Sequence, residues 1–179
     1  NIIMENKNWY TLTGKKIPSV SEKLKHDVQT ALEQGYHCNI VVGTDSQRHG
    51  NKVVYVTVIA LIRQHNGGLG YYVKETEDIP GINPNTTPKV RKEIIKNFIN
   101  IRLMNEVVKS IDVANFVNDQ LDPYNVKVNE IHCDINPNKR YKSSEMIKAI
   151  QGYIIGSEYT PIVKPEGWVA SQICDKKTK

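Results

Sequence analysis

Three strand patterns follow one another between Tyr36 and Lys74, and the connections between them are too short to hold a crossover. The first runs from about Tyr36 to Thr44. The second, Lys52–Arg63, is long and rich in β-branched residues (Val53, Val54, Val56, Thr57, Val58, Ile59, Ile62). After the turn signal His65-Asn66-Gly67-Gly68 comes the third, Leu69–Lys74. Parallel neighbours need a connection of a dozen or more residues, so these strands must form an antiparallel meander. From there the pattern alternates. Val90–Asn115 is apolar at helical spacing, Val126–Asp134 is a strand, Ser143–Ile155 a helix, Thr160–Lys164 a short strand and Trp168–Asp175 a last helix. Three antiparallel strands followed by alternating helices and strands predict an α/β architecture: a five-stranded mixed sheet flanked by helices.

Two of these strands share a design. Ile40-Val41-Val42-Gly43-Thr44-Asp45 is a short apolar run ending in a carboxylate, and Val126–Asp134 delivers a second aspartate at its far end. The fourth strand can return by a crossover to lie parallel to the first. Asp45 and Asp134 then become neighbours, and the last helix can bring Asp175 back to the same end. Carboxylates gathered in this way repel unless cations neutralise them. Hard divalent cations prefer oxygen ligands, and Mg2+ or Mn2+ also leaves positions open for water and phosphate. Two such ions about 4 Å apart can activate water and stabilise the leaving oxygen in phosphodiester cleavage. Each acid has a plainer role open to it: Asp45 and Asp134 as turn caps, Asp175 as a solvated helix residue beside Lys176.

The third strand is expected to run parallel to the first, so the helix after it begins near the same end. Glu93, in the first turns after Pro88, is therefore better placed to complete the site than Glu106, two to three turns further on; a surface salt bridge is the competing role for Glu93. Other residues fall near the expected site. Ser46 and Gln47 follow Asp45 directly as candidate substrate contacts, with Arg48 and His49 as further contacts or plain loop residues. Lys142 and Ser143 open a helix whose N-terminus suits a phosphate, although Ser143 or Ser144 can equally be a simple cap. Lys164 ends the fifth strand on the same edge. His132 lies two residues before Asp134, where it can assist proton transfer or sit as a packed core histidine. Trp168 can stack on a base or anchor the last helix.

The remainder of the chain adds limits. Residues 1–35 form an N-terminal arm, in which Trp9, Tyr10, Leu12 and Ile17 can pack on the body, and an extra helix opened by Ser19 and Glu22 and closed at Gly35. Residues 36–179 form the core, and no boundary divides the chain of 179 residues into two domains. Cys38, Cys133 and Cys174 are odd in number and lack CxxC spacing, which points to a reducing, cytoplasmic setting. No apolar stretch approaches a membrane span, and no signal peptide is visible. The net charge of +5 favours a polyanionic partner, but only weakly.

The element order is that of the ribonuclease H-like fold. The chain also resembles the YkuK-like family of bacterial and phage proteins, placed in the ribonuclease H-like superfamily with RuvC-type relatives. The resemblance is carried by Val42-Gly43-Thr44-Asp45-Ser46-Gln47, Ile131-His132-Cys133-Asp134-Ile135-Asn136-Pro137 and Lys142-Ser143. It continues through Pro161-Ile162-Val163-Lys164-Pro165-Glu166-Gly167-Trp168-Val169-Ala170-Ser171, with Asp175 and the closing Thr178-Lys179. It implies the fold and a metal-dependent nuclease site at Asp45, Asp134 and Asp175. The expected function is hydrolysis of phosphodiester bonds in RNA, an RNA–DNA hybrid or branched DNA with Mg2+ or Mn2+. The alternatives are a non-catalytic nucleic-acid-binding or scaffold module on the same fold, or a structural protein whose basic surface is incidental.

Overall fold

Strand β3 (Cys38–His49) organises the sheet because it is covered on both faces: Ile40 through Asp45 are all buried. It pairs antiparallel with β4 (Lys52–Arg63), which pairs antiparallel with β5 (Gly68–Asp78). On its other side β3 pairs parallel with β6 (Val128–Cys133), and β6 pairs parallel with β7 (Thr160–Val163). The five strands thus take the order β5-β4-β3-β6-β7, the mixed sheet expected from the sequence. The computed structural model describes residues 2–133 and 144–163. Asp134, Lys142, Ser143, Lys164, Asp175 and the expected last helix at Trp168–Asp175 lie outside these described residues.

Among the described residues the sheet has seven strands, because the N-terminal arm joins its edge. After the one-turn helix α1 (Ile2–Glu5), β1 (Trp9–Thr11) pairs antiparallel with β5, and β2 (Lys16–Ile17) pairs with β1. Trp9 is buried, and its indole Nε1 donates to the Met4 carbonyl at 3.0 Å. Strands of three and two residues are too short to show a period in the sequence, so only the packing of the arm was legible there.

Helix α2 (Val20–Glu33) begins as expected: Ser19 Oγ accepts the Glu22 amide, and Gly35 follows at a positive φ of 80°. Helix α3 (Pro88–Leu121) is 34 residues long, about 51 Å at the usual rise. A 3-10 turn at Asp122–Tyr124 closes it, and α4 (Ser144–Gly156) comes later. The three long helices among the described residues feed one hydrophobic cluster on one face of the sheet. Leu24 and Val28 of α2, Val107 and Val117 of α3 and Ile150 and Ile154 of α4 pack with Ile40, Val42, Ile59 and Ile131. Within α3 the fully buried positions begin only at Leu103. Its first half lies instead over the outer ends of β3–β5, where Ile94, Ile95 and Phe98 pack on Val53, Tyr55 and Ile79.

One difference from the sequence expectation moves the site. The first strand does not stop at Thr44; it continues through Asp45 and Ser46 to His49, paired residue by residue with β4 as far as His49↔Lys52. The sequence 46–51, expected as a loop, is mostly strand, and the chain reverses over Gly50-Asn51 alone. Gly50 at φ 62° occupies the first central position of a two-residue hairpin turn, where glycine carries no steric penalty. The sheet therefore projects past Asp45 by about 13 Å. Among the described residues, no helix is long and apolar enough to cross a membrane.

Candidate functional site

The parallel strands β3 and β6 are in register through Thr44↔Cys133. β6 is described to Cys133 while β3 runs on, so Asp45 is the first β3 residue past the last described β6 pair. Asp45 is nonetheless 6% exposed. Its carboxylate folds back, and Oδ1 accepts the Ser46 amide at 2.8 Å. The residue that follows Cys133 in the chain is Asp134.

Helix α3 crosses this point antiparallel to β3, and two side-chain contacts set its position. Thr44 Oγ1 and Ser110 Oγ are hydrogen-bonded at 2.7 Å. One turn nearer the helix start, Ser46 Oγ donates to Glu106 Oε1 at 2.5 Å. The spacing is reciprocal. Two residues along a strand advance about 7 Å, and four along a helix about 6 Å, so alternate β3 residues meet successive turns of α3. Thr44 also bonds Thr57 of β4 at 2.9 Å, which gives a buried chain of three hydroxyls beneath the site. A cavity of ≈ 10 Å³, about the size of one water, lies between Thr44, Glu106, Ser110 and Cys133.

Glu106, like Asp45, is 6% exposed. Ser46 thus joins two buried carboxylates from elements far apart in the chain, giving its amide to one and its hydroxyl to the other. Buried carboxylates are stable only where cations or hydrogen-bond donors neutralise them. Thr44 and Ser46 face α3, so strand alternation turns the Asp45 side chain to the other face of β3, beside Val56 of β4. Carboxylate oxygens of this kind suit a hard divalent cation. Among the described residues, no group of three or more His, Cys, Asp or Glu side chains is gathered to hold a metal ion.

Glu93 is placed elsewhere. It is solvent-exposed in the first turns of α3, about 20 Å along the helix axis from Glu106. The reason is the extended β3–β5 meander: α3 starts beyond its outer end and needs several turns to return to the level of Asp45. The α3 carboxylate bonded to Ser46 is Glu106. Its signal in the sequence was the four-residue step from Glu106 to Ser110, matching the two-residue step from Ser46 to Thr44. Ser110 and Thr57 carried no signal of their own.

Gln47 is exposed on β3 just past the site. His132 is buried beside Gly43; its Nε2 lies 3.2 Å from Glu130 Oε2, and its Nδ1 is buried without a partner among the described residues. Beside Ser46 on β4 is Tyr55, whose hydroxyl accepts from Asn105 Nδ2 at 3.1 Å. Burial raises the Tyr55 phenol, and the negative charges of Glu77 and Glu106 outweigh Lys109 in adding to the rise. The Lys109 ammonium lies 4.9 Å from the centre of the Tyr55 ring and bonds Glu77 at 2.8 Å and Glu75 at 3.3 Å.

No curated protein and no solved structure matches the chain. A family model described as Ribonuclease H-like does, over residues 19–179, which take in every strand of the five-stranded core and all three long helices, so the chain belongs to the ribonuclease H-like family.

Proposed function

We propose that the protein is a divalent-metal-dependent nuclease that hydrolyses phosphodiester bonds in RNA, an RNA–DNA hybrid or branched DNA. The observation that carries this reading is the junction at Ser46, where buried Asp45 of β3 and buried Glu106 of α3 each accept a hydrogen bond from one residue. Membership of the ribonuclease H-like family supports a nucleic-acid-directed activity of nuclease type, and the YkuK-like resemblance of Val42–Gln47 belongs to the same reading. Asp45 and Glu106 act as metal ligands together with Asp134 and Asp175, and Glu106 takes the helix position for which Glu93 was the first candidate. The register Thr44↔Cys133 supports the pairing of Asp45 with Asp134, because each aspartate is the next residue in its chain segment.

Mg2+ or Mn2+ held by these carboxylates would supply positive charge for the phosphate and a water of lowered pKa. The chain's own residues do the remainder. Asp45 and Glu106 present oxygen donors from two different elements. Ser46 fixes both carboxylates, and the Thr44–Ser110 bond fixes the depth of α3 on the sheet. Gln47, Lys142, Ser143 and Lys164 contact the substrate.

The test is a cleavage assay on single-stranded RNA, an RNA–DNA hybrid and a four-way DNA junction with Mg2+ or Mn2+, alongside calorimetric titration of Mn2+. Cleavage abolished by EDTA and by Asp45→Asn, with Mn2+ affinity lost in the same variant, is the expected result. Folded protein that cleaves none of the three substrates overturns the nuclease reading. Salt-sensitive binding unchanged by Asp45→Asn then identifies a non-catalytic nucleic-acid-binding module.

A further inference from the structure

Continue the two rungs between β3 and α3 by one step. Thr44 meets Ser110, and Ser46 meets Glu106, each through a hydrogen bond. Two residues further along β3 is Arg48, and four residues nearer the start of α3 is Arg102. These two line one cleft of ≈ 170 Å³ between the outer end of β3–β4 and the middle of α3, walled by Phe98, Ile99, Val53 and Ile79. The third rung is therefore two like charges facing one apolar-walled space, where the first two are bonded pairs.

Neither guanidinium has a carboxylate partner among the described ion pairs. Among the described residues, Arg48 Nη1 donates to the Gly50 carbonyl at 2.7 Å, and Arg102 Nε is buried with no partner. A buried, unbonded guanidinium N–H is costly, and a second positive charge across the cleft adds repulsion. One anion accepting from both would remove both costs. Planar guanidinium groups match the oxygens of a phosphate, and an apolar wall beside them suits a sugar or base. The surrounding charge has the same sign. The first half of α3 carries Lys89, Arg91, Lys92, Lys96 and Arg102 against Glu93 alone.

We infer that the Arg48–Arg102 cleft binds a backbone phosphate of the nucleic acid next to the one that a metal ion at the proposed carboxylate site would hold. The arginines lie about 6–7 Å from the Ser46–Glu106 contact along both elements, so the strand is led from the carboxylates toward the start of α3. The inference rests on the proposed nucleic-acid substrate, but it concerns binding, not cleavage. The cleft works without metal, because its charge is supplied by the chain.

The experiment is fluorescence anisotropy with a labelled 12-nucleotide RNA and the matching DNA, in EDTA, at several salt concentrations. Wild type, Arg48→Gln, Arg102→Gln, Arg102→Lys and Lys25→Gln, a control in α2, are compared. Each Arg→Gln change is expected to weaken binding about tenfold, the scale of one charge-assisted hydrogen bond. Each should also lower the slope of log K against log salt by about one. Arg102→Lys should recover part of the affinity, and Lys25→Gln should match wild type. Arg48 is exposed on a hairpin, so Arg48→Gln keeps the test valid even if Arg102→Gln unfolds. Arg48→Gln binding as tightly as Lys25→Gln overturns the inference, whatever the cleavage assay shows. The tenfold loss without cleavage by wild type upholds this cleft and overturns the nuclease reading. Wild type that binds neither oligonucleotide overturns both.

Discussion

Ser46 and Glu106, sixty positions apart in the chain, are joined at 2.5 Å, and the bond ties a buried carboxylate of the long helix to the residue that follows Asp45. Ser46 acts through the carboxylates it holds. Ser46→Ala leaves Asp45 and Glu106 in the chain but removes the hydroxyl that bonds Glu106. Removing a group that orients a metal ligand typically costs about 10–100-fold in metal affinity or activity. Mn2+ affinity by calorimetry is expected to fall by that factor, with Ser46→Thr recovering most of it. Unchanged Mn2+ affinity in Ser46→Ala would show that the bond only packs the helix.

The two candidate glutamates of α3 are separable by the same assay. Glu106→Gln removes a buried carboxylate at the site and is expected to lower cleavage by about 100-fold or more, the several kcal/mol of charge stabilisation that an ion supplies. Glu93→Gln changes an exposed side chain about 20 Å away along the helix and should stay within about twofold of wild type. A reversed order of the two effects removes Glu106 from the site.

Beneath the carboxylates, Thr44 bonds both Ser110 and Thr57, and all three residues are almost fully buried. Thr44→Val removes the shared hydroxyl and leaves two buried partners short of a bond, so a loss of about 1–3 kcal/mol is expected. Replacing all three, as Thr44→Val with Thr57→Val and Ser110→Ala, removes the unsatisfied groups as well as the bonds. The triple variant should therefore be less destabilised than the sum of the single changes. Urea denaturation of the set measures this, and strict additivity would deny the network.

The core of this molecule was legible because its signals are local and repeated. β-branched runs, turn residues at Gly67-Gly68 and the Ser19 cap each announce one element, and their order fixes the five-stranded sheet. Asp45 was legible for the same reason, as a carboxylate at the end of an apolar run. The choice between Glu93 and Glu106 was not local. It depended on how far β3 projects past Asp45, and that depends on pairing between Ser46–His49 and Lys52–Tyr55 across a two-residue turn. Those β3 residues are polar and half or fully exposed, and so read as loop. Thr57 and Ser110 look like ordinary strand and helix residues until the two elements are brought together. The edge strands β1 and β2 are simply too short to carry a period.

Acid should expose the ion pairs that tie α3 to β5. Burial by itself raises the Glu75 carboxyl, but the hydrogen bond from Lys7 and the charges of Lys109 and Lys7 outweigh it and hold the group below its ordinary value of 4.5. A depressed folded value means the stabilisation is complete above the unfolded value and is lost as pH falls through the folded one. For Lys109, burial lowers the ammonium, but Glu77 and Glu75 outweigh it and raise the group, so its contribution persists through neutral and acidic pH until the carboxylates protonate. Glu75→Gln is therefore expected to cost about 1 kcal/mol near pH 7, the scale of a modest ion pair, and progressively less below about pH 4.5. Urea unfolding of both proteins at pH 7, 5 and 3.5 checks the sign; a gap that widens in acid contradicts the assignment.

Attachment of the N-terminal arm depends on one missing side chain. Thr11 pairs with Tyr71, and the next residue, Leu12, lies directly over Gly70. A Cβ at position 70 would sit 2.6 Å from Leu12 Cδ1 and 2.7 Å from Leu12 Cγ, closer than carbon atoms approach. Leu12 cannot move freely, because β1 is held between β5 and β2 and anchored by buried Trp9. Gly70→Ala therefore forces the arm outward, at a cost of about 1–3 kcal/mol typical of overpacking. In a Leu12→Ala background the obstruction is gone, and the same change at position 70 should cost less than about 0.5 kcal/mol, the range of an ordinary substitution that meets no obstacle. A double-mutant cycle by thermal unfolding measures the coupling. Equal costs in the two backgrounds would mean that Leu12 and Gly70 are not in contact in solution and that the arm leaves the sheet before Leu12.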